Sequence, residues 1–131
     1  MKRWTEDNLK AQGYRIANCQ ITSADISMGN YGCLDMTLSL EGQVCVCYGG
    51  YVLGKGYLGA QDDFFEGSAA GLEYIMRIMD VVGVENFQDL KGKYVRVAHK
   101  GLGTSVKIIG NITKDKWFDA ETFFEDKKND T

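Results

Sequence analysis

The chain contains no proline, so glycine, present 16 times, provides most of its freedom to turn. Its apolar runs are only a few residues long, which excludes a membrane-spanning helix. Residues 1–30 lack the apolar central region of a secretory signal, and we therefore expect a cytoplasmic protein. At 131 residues, 44% of them hydrophobic, the chain is long enough to bury a core, and we predict a single domain over residues 1–131.

An excess of basic charge is also absent. Fifteen lysines and arginines stand against 18 aspartates and glutamates, which gives a net charge of −3. This charge has the wrong sign for generic binding to phosphate backbones. It is also too balanced for a DNA mimic, which needs a densely acidic surface. Charge alone therefore does not identify a partner.

The chain has few residues from which to build a metal centre, with one histidine and four cysteines. Cys45 and Cys47 alternate on a predicted strand, and Cys19 and Cys33 would complete a four-thiolate zinc site. Structural zinc sites favour cysteine pairs separated by about two to four residues, and only this closer pair exists. We therefore interpret the cysteines as reduced thiols and predict no metal and no cofactor.

His99 is the one candidate for a nucleophilic relay, with Ser105 and Asp115 as available partners. No nucleophile elbow or other local motif supports this relay. A position beside Lys100 and a glycine turn is typical of a solvated strand end. The acidic loop at residues 62–66 lacks the alternating ligands of a calcium site. We therefore predict no enzymatic activity.

Hydrophobic periodicity and turn residues predict an α+β fold. We expect a curved antiparallel sheet of about five to six strands, packed by one main helix, with short N- and C-terminal helices. Residues 128–131 are expected to fray. The predicted elements are a helix over 5–12, bulged extended chain over 14–27, a hairpin of 33–40 and 44–52, a loop over 53–67, the main helix over 68–82, strands at 93–100 and 106–112, and a short C-terminal helix.

In the main helix, the core face is predicted from apolar residues that recur at i, i+3, i+4 and i+7. Ser68 is expected to cap its start and Gly83 to end it. The residues predicted to be buried are Leu72, Ile75, Met76, Met79 and Val82, with Ile78 widening the stripe.

Gly54, Gly56 and Gly59 have the G-x-G-x-x-G spacing of a dinucleotide-binding fingerprint. That motif opens directly into a helix, whereas here acidic residues follow and the next predicted helix begins about nine residues later. We therefore interpret the glycines as permitting a bulge and a tight loop. An alternative keeps the loop functional, with its backbone amides, Lys55 and Tyr57 forming a shallow pocket for an anion or a partner.

Aromatic residues crowd the glycine-rich region and indicate a binding surface, because rings beside lysine and small residues can stack a base or anchor a protein. Arg96 and Lys107 on neighbouring strands add positive charge. The alternative is that many of these side chains belong to the core or to a solvated face. The predicted partner- or ligand-binding residues are Tyr48, Tyr51, Lys55, Tyr57, Phe64, Arg96 and Lys107.

Three stretches, GGYVLGKGYLGA, EGSAAGLEYIMRIMDVVGVENFQDLKGKYVRVA and GLGTSVKIIGNITKDKWF, cover much of residues 44–118. On these stretches the chain resembles small uncharacterised proteins encoded by phages and prophages of Firmicutes. The resemblance implies a phage context and transfers no catalytic residues. Small phage proteins without enzyme motifs often act by stoichiometric binding, as anti-CRISPR proteins and sponges for defence signals do.

The resemblance leads to two hypotheses. The first is a non-enzymatic inhibitor that binds a host defence protein, such as a CRISPR effector, in the host cytoplasm, and it predicts an exposed apolar and aromatic patch. The second is a sponge that sequesters a nucleotide signal or a short single-stranded nucleic acid, and it predicts a pocket where aromatic rings meet lysine or arginine. We favour the first, because the net charge and the missing phosphate motif argue against nucleotide capture.

A third and weaker hypothesis is a small enzyme, which requires His99 or a carboxylate pair in a cleft. No membrane partner is expected, and the free edges of a curved sheet are compatible with a homodimer.

Overall fold

The computed structural model describes residues 2–30, 32–56, 65–101 and 105–129. Within these residues, three α-helices accompany a seven-stranded antiparallel sheet that curls into a half-barrel. In chain order the elements are α1 (Glu6–Ala11), β1 (Arg15–Asn30), β2 (Cys33–Gly42), β3 (Val46–Lys55), β4 (Glu66–Gly67), α2 (Ala69–Val82), a 3-10 helix (Phe87–Leu90), β5 (Tyr94–His99), β6 (Ile108–Asn111), β7 (Trp117–Asp119) and α3 (Ala120–Asn129).

The strands lie in the order β4-β3-β2-β1-β5-β6-β7. The predicted α+β fold, with a curved antiparallel sheet and one main helix, is confirmed. The sheet has more strands than expected because β4 and β7 are only two and three residues long. Elements this short leave no alternation that a sequence pattern can show.

The curl of the sheet depends on β1. Its first six residues pair with β5, whereas from Cys19 onwards it pairs with β2. The register against β2 shifts between Ile21 and Ser23, where Thr22 Oγ1 donates a hydrogen bond to the carbonyl of Ser39 at 3.2 Å. An extra residue in one strand bends it and increases its twist. The bulge predicted for this segment is therefore confirmed, and it contributes to the curvature.

Helix α2 covers the face of the sheet that carries the main hydrophobic core. Ser68 caps the helix, its Oγ accepting a hydrogen bond from Gly71 N at 3.0 Å, and Gly83 ends it in the left-handed conformation at φ 92°. Both caps are as predicted. A Cβ at Gly71 would lie 2.7 Å from the Cα of Leu53, so this glycine allows the helix to approach β3 closely.

The buried face of α2 differs from the predicted one. Leu72 and Met76, expected in the core, are 64% and 67% exposed. Gly71 faces β3, because a residue without a side chain lets the helix approach the strand closely. In this orientation of the helix, Tyr74 is buried in the core. The buried positions are Gly71, Tyr74, Ile78 and Val81. The partly buried positions at the border of the core include Ile75, Met79 and Val82.

A smaller apolar cluster lies on the opposite face of the sheet, beneath α1. Leu9 of α1 is buried there against Ala98 of β5 and Ile108 of β6. Successive strand residues point to opposite faces, so Ala98 and Ile108 face away from the main core. Thr5 caps the start of α1, and its side-chain oxygen accepts a hydrogen bond from Asn8 N at 3.1 Å. Both faces of this half of the sheet are therefore covered.

Two boundaries differ from the sequence-based expectation. Strand β3 continues to Lys55, where a loop is predicted, because β4 pairs with it there through Gly54–Gly67 and Lys55–Glu66. Helix α3 extends to Asn129, past the position from which fraying is expected. No helix in the described part of the chain is long and apolar enough to span a bilayer.

The pairing of β2 with β3 requires a glycine at position 49. Gly49 has φ +119°, and a Cβ there would overlap the carbonyl oxygen of Met36. At Gly50, with φ +82°, a Cβ would have no atom of a described, non-neighbouring residue within 4 Å. We expect Gly49→Ala to lower the free energy of unfolding by at least about 2 kcal/mol and Gly50→Ala by about 1 kcal/mol. Urea denaturation of both variants measures the difference. Equal losses would contradict this role of Gly49.

The orientation of α2 predicts unequal effects for two substitutions on one helix. Ile78→Ala empties a fully buried site and should lower the free energy of unfolding by about 2–5 kcal/mol. Leu72→Ala removes an exposed side chain and should change it by less than about 0.5 kcal/mol. Thermal denaturation followed by circular dichroism compares them. A larger loss for Leu72→Ala would favour the face predicted from the sequence.

Candidate functional site

The end strands β7 and β4 differ in how much of the neighbouring strand they pair with. At one end, β7 is three residues long and continues directly into α3. At the other end, β4 pairs with β3 only at Gly54 and Lys55. Over residues 46–52, the outer edge of β3 therefore has no strand partner within the described residues. Such an edge presents unpaired backbone N–H and C=O groups.

A cleft separates this free edge from residues 105–107, which lead into β6. Its volume is about 610 Å³, and we refer to it as the edge cleft. One wall is formed by residues 45–47 and 49–51, and the other by residues 105–107. Lys107 carries the only charged side chain among the described residues that line it. The edge cleft is therefore a mostly neutral channel with one positive group.

A larger groove of about 730 Å³ lies along α3, and we call it the α3 groove. Tyr51 and Lys107 line both cavities. The described lining of the α3 groove carries charges of both signs, and these mixed charges suit a polar surface better than a strongly anionic ligand. The charged residues are Lys55, Lys107, Lys127, Lys128, Glu66, Glu121 and Glu125.

Lys107 lies where the two cavities meet. Its Nζ is 3.1 Å from Glu121 Oε1, and this hydrogen bond raises the pKa of Lys107, so the side chain remains cationic at neutral pH. Its carbonyl accepts a hydrogen bond from Ala120 N at 3.0 Å, which fixes this wall to the start of α3. The side chain is 41% exposed, so the ammonium group remains accessible to a ligand.

Tyr51 provides a fixed aromatic surface at the same junction. Its ring stacks on Phe124 of α3 at a centroid distance of 4.7 Å and meets Tyr74 of α2 edge-on at 5.3 Å. Partial burial raises the pKa of the Tyr51 phenol. Because contacts from two helices hold the ring, little side-chain entropy remains to be lost when a ligand binds beside it.

Two further tyrosines, Tyr48 and Tyr74, are buried in the core, where their rings stack at a centroid distance of 6.5 Å. Tyr48 is 1% exposed and Tyr74 is 0% exposed, and neither hydroxyl has a hydrogen-bond partner in the part of the chain that the structure describes. Burial raises the pKa of both phenols above the ordinary value of 10.0. A buried hydroxyl without a partner costs about 1–3 kcal/mol, so these groups lower the stability of the core.

The structure brings together three of the predicted binding residues. Tyr51 and Lys107 line both cavities, and Lys55 lines the α3 groove. Tyr48 lies in the core, where its ring contributes to packing and is not accessible to a partner. Tyr57 and Phe64 lie outside the described residues.

Arg96, also predicted as a binding residue, lies on the other face of the sheet. Its guanidinium is 4.6 Å from the ring centroid of Trp117, and its Nη1 is 2.7 Å from Glu6 Oε1. Nε and Nη2 donate hydrogen bonds to the carbonyls of Asn111 and Lys114, both at 2.8 Å. With a side chain only 13% exposed, Arg96 connects α1 to the end of β6 and is remote from both cavities.

His99 and Ser105 line a third cavity of about 390 Å³, together with Asp119. His99 Nδ1 accepts a hydrogen bond from Gly101 N at 3.1 Å, which leaves the proton of the neutral ring on Nε2. Asp115 accepts hydrogen bonds from α1 and β7 instead. The three residues considered for a relay are therefore not brought together.

The zinc alternative is contradicted by the strand register. Cys33 pairs with Lys55 and Cys47 pairs with Ser39, so these thiols lie at opposite ends of the β2–β3 pairing, and Cys19 is buried. Among the described residues, no group of three or more histidine, cysteine, aspartate or glutamate side chains could hold a metal ion.

Two glycines of the G-x-G-x-x-G spacing, Gly54 and Gly56, lie within the described residues, and both form backbone contacts at the end of β3. Gly54 belongs to the β3–β4 ladder, and Gly56 N donates a hydrogen bond to the carbonyl of Gly32 at 2.7 Å. Gly59 lies outside the described residues. Neither Gly54 nor Gly56 is at a helix N-terminus, as a dinucleotide-binding fingerprint requires.

In the wall opposite β3, Lys107 is predicted from the sequence, whereas Ser105, Val106 and the ring of Phe124 are not predicted as parts of a binding site. Phe124 lies in the region predicted only as a short C-terminal helix, and residues 106 and 107 are predicted as the start of a strand. No local pattern marks these positions, because their role depends on which strands are neighbours in the sheet. The shortness of β4, which leaves β3 uncovered, is equally invisible in the sequence.

Comparison with models of protein families, with curated proteins and with solved structures finds no match for this chain. The geometry of the two cavities therefore carries the structural evidence for a binding site.

The two buried phenols predict a loss of stability at alkaline pH. Below pH 10, both are protonated in the folded and unfolded states, and their contribution is constant. Above pH 10 the unfolded chain loses these protons first, because the folded pKa values are higher, so the free energy of unfolding should fall as pH rises.

Urea denaturation between about pH 8 and pH 11 measures this fall. Tyr48→Phe should reduce it and should not lower stability at pH 8, because the substitution removes a hydroxyl without a partner. Tyr94→Phe is the matched control, since Tyr94 is 58% exposed, and should leave the pH dependence unchanged. The same alkaline loss in both variants would contradict the role given to Tyr48.

Proposed function

We propose that this chain is a non-enzymatic phage or prophage accessory protein that inhibits a host defence effector, such as a CRISPR effector, by stoichiometric binding in the host cytoplasm. The observation that carries the proposal is the free edge of β3 beside the edge cleft. Unpaired backbone groups next to a fixed aromatic ring and an accessible ammonium group provide a surface for a protein partner.

Exposed apolar side chains near this edge add to the argument. Val52 of β3 is 39% exposed and lines the α3 groove, and Phe65, immediately before β4, is 49% exposed. Apolar residues that remain in solvent beside a polar rim are typical of protein interaction surfaces. The mixed charges of the α3 groove also fit a protein surface, which carries charges of both signs.

The α3 groove supports the alternative function, sequestration of a nucleotide signal or a short single-stranded nucleic acid. Its volume of about 730 Å³ lies within the range of small-molecule sites, roughly 300–1,000 Å³. Tyr51 and Phe124 provide aromatic rings, and Lys55 and Lys107 provide cations. Three glutamates in the same lining oppose a phosphate, and for this reason sequestration is the second candidate.

Affinity capture distinguishes the two functions. Tagged protein is mixed with lysate of a Firmicutes host, bound proteins are identified by mass spectrometry, and small molecules are extracted from the same sample. The inhibitor proposal predicts one host protein in stoichiometric amount, whose purified activity falls when an equal amount of this protein is added. A nucleotide in the extract without a protein partner would support the sponge instead.

Exchanging the charges of one ion pair tests where the partner binds. Lys107→Glu combined with Glu121→Lys keeps the pair but reverses the charge in the edge cleft, and capture should fall at least about tenfold. The matched control exchanges the exposed pair of Lys116 and Asp80, whose 2.8 Å contact lies away from both cavities, and should capture normally. Equal capture by the two variants would contradict this location.

A further inference from the structure

The free edge of β3 is long enough for an added strand. Residues 46–52 span roughly 20 Å at a rise of about 3.4 Å per residue. Strands in proteins are as short as about three residues, so this edge can pair with a complete strand. Within the described residues, the strand pairing of this stretch is with β2 alone.

Gly50 keeps the cleft open in the middle of this edge. Apart from its two neighbours in the chain, no described residue has an atom within 4 Å of the position that its Cβ would take. It lies where the register between β2 and β3 shifts, between the pairs formed by Tyr51 and Gly49. A glycine within a strand often marks a place where another backbone approaches closely. Gly50 therefore leaves room for a second chain beside β3.

The wall opposite β3 is already fixed. Val106 is 6% exposed and its side chain packs in the main core. The carbonyl of Lys107 is hydrogen-bonded to Ala120 N. A strand entering the edge cleft therefore lies between two preformed surfaces, which reduces the ordering cost of binding.

Charge indicates the chemistry of the occupant. Because Lys107 carries the only charge in the described lining of the edge cleft, a segment with aspartate or glutamate complements it. A second copy of the chain that paired edge to edge would bring two Lys107 ammonium groups to one interface. The charge therefore favours an acidic partner over self-association.

We propose that the edge cleft binds an extended, acidic segment of the partner protein as an additional β-strand along residues 46–52. Main-chain hydrogen bonds to β3 provide affinity, and contact between an acidic side chain and Lys107 provides specificity. The added strand occupies the gap that the half-barrel leaves open. This inference rests on the proposed function and adds the conformation and charge of the recognised segment.

Three acetylated and amidated peptides test the inference by isothermal titration calorimetry. The acidic peptide is TVEVTVEV, the basic one is TVKVTVKV, and TVEVPVEV carries a proline that interrupts a strand ladder. The acidic peptide should bind at least about tenfold more tightly than the other two. In the variant with Lys107→Glu and Glu121→Lys, the basic peptide should bind more tightly than the acidic one. Absence of binding by the acidic peptide, or a preference that the exchange does not change, would overturn the proposal.

Amide hydrogen exchange locates the bound strand. The acidic peptide should slow exchange at residues 46–52 and leave exchange in β7 unchanged. Alkylation with iodoacetamide gives a second measurement without substitution, because Cys47 is exposed in the edge cleft while Cys33 lies at the far end of the β2–β3 pairing. The peptide should protect Cys47 and not Cys33. Protection elsewhere, with residues 46–52 unaffected, would overturn the proposal.

Failure of the strand proposal is distinguishable from failure of the proposed function. A captured host protein that leaves residues 46–52 unprotected would retain the function and overturn the mode of binding. Binding of the acidic peptide without any captured partner would retain the strand site and overturn the function. Sedimentation of the free protein at twice 14.6 kDa, with residues 46–52 already protected, would assign the edge to a second copy and overturn the acidic segment.

Discussion

The packing of Tyr74 is the constraint on which the rest of the structure depends. Among the described residues, its ring contacts four other aromatic rings, which come from β3, β7 and α3, at centroid distances of 5.3–6.5 Å. Aromatic pairs contribute about 0.5–1.5 kcal/mol each beyond the burial of their area. This cluster connects the two ends of the sheet through side chains, where a closed barrel would use hydrogen bonds between strands. Aromatic rings therefore connect the two ends of the half-barrel, while the outer edge of β3 over residues 46–52 has no strand partner among the described residues.

The same cluster determines where the cavities lie. Phe124 stacks on Tyr51 and places α3 beside the end of β3, so that a groove remains between them. The start of α3 is hydrogen-bonded to Lys107, which fixes the opposite wall of the edge cleft. The candidate site is therefore part of the seam between the two ends of the sheet. Because packed aromatic rings fix this region, a partner that binds here causes less loss of conformational entropy than one that binds a mobile loop.

Local patterns predict the elements of this fold better than they predict which elements are neighbours. Ser68 is recognisable as a cap because capping depends on residues adjacent in the sequence. Leu72 and Met76 fit helical periodicity as well as Tyr74 does, and only the approach of Gly71 to β3 decides which face is buried. Tyr51, Lys55 and Lys107 are predicted as members of the site from residue type and position, whereas Phe124 is not. The free edge of β3 is not predicted either, because an edge strand is defined by strands distant in the sequence.

The double pairing of β1 has a consequence for the order in which the chain assembles. Most of β1 pairs with β2, which follows at once, whereas Arg15 pairs with His99 and Gln20 with Tyr94. Closing such a long loop costs conformational entropy and slows folding. During synthesis, the first hairpin can form early, while the beginning of β1 has no partner until β5 leaves the ribosome. We therefore expect the nascent chain to be more prone to aggregation than the folded protein.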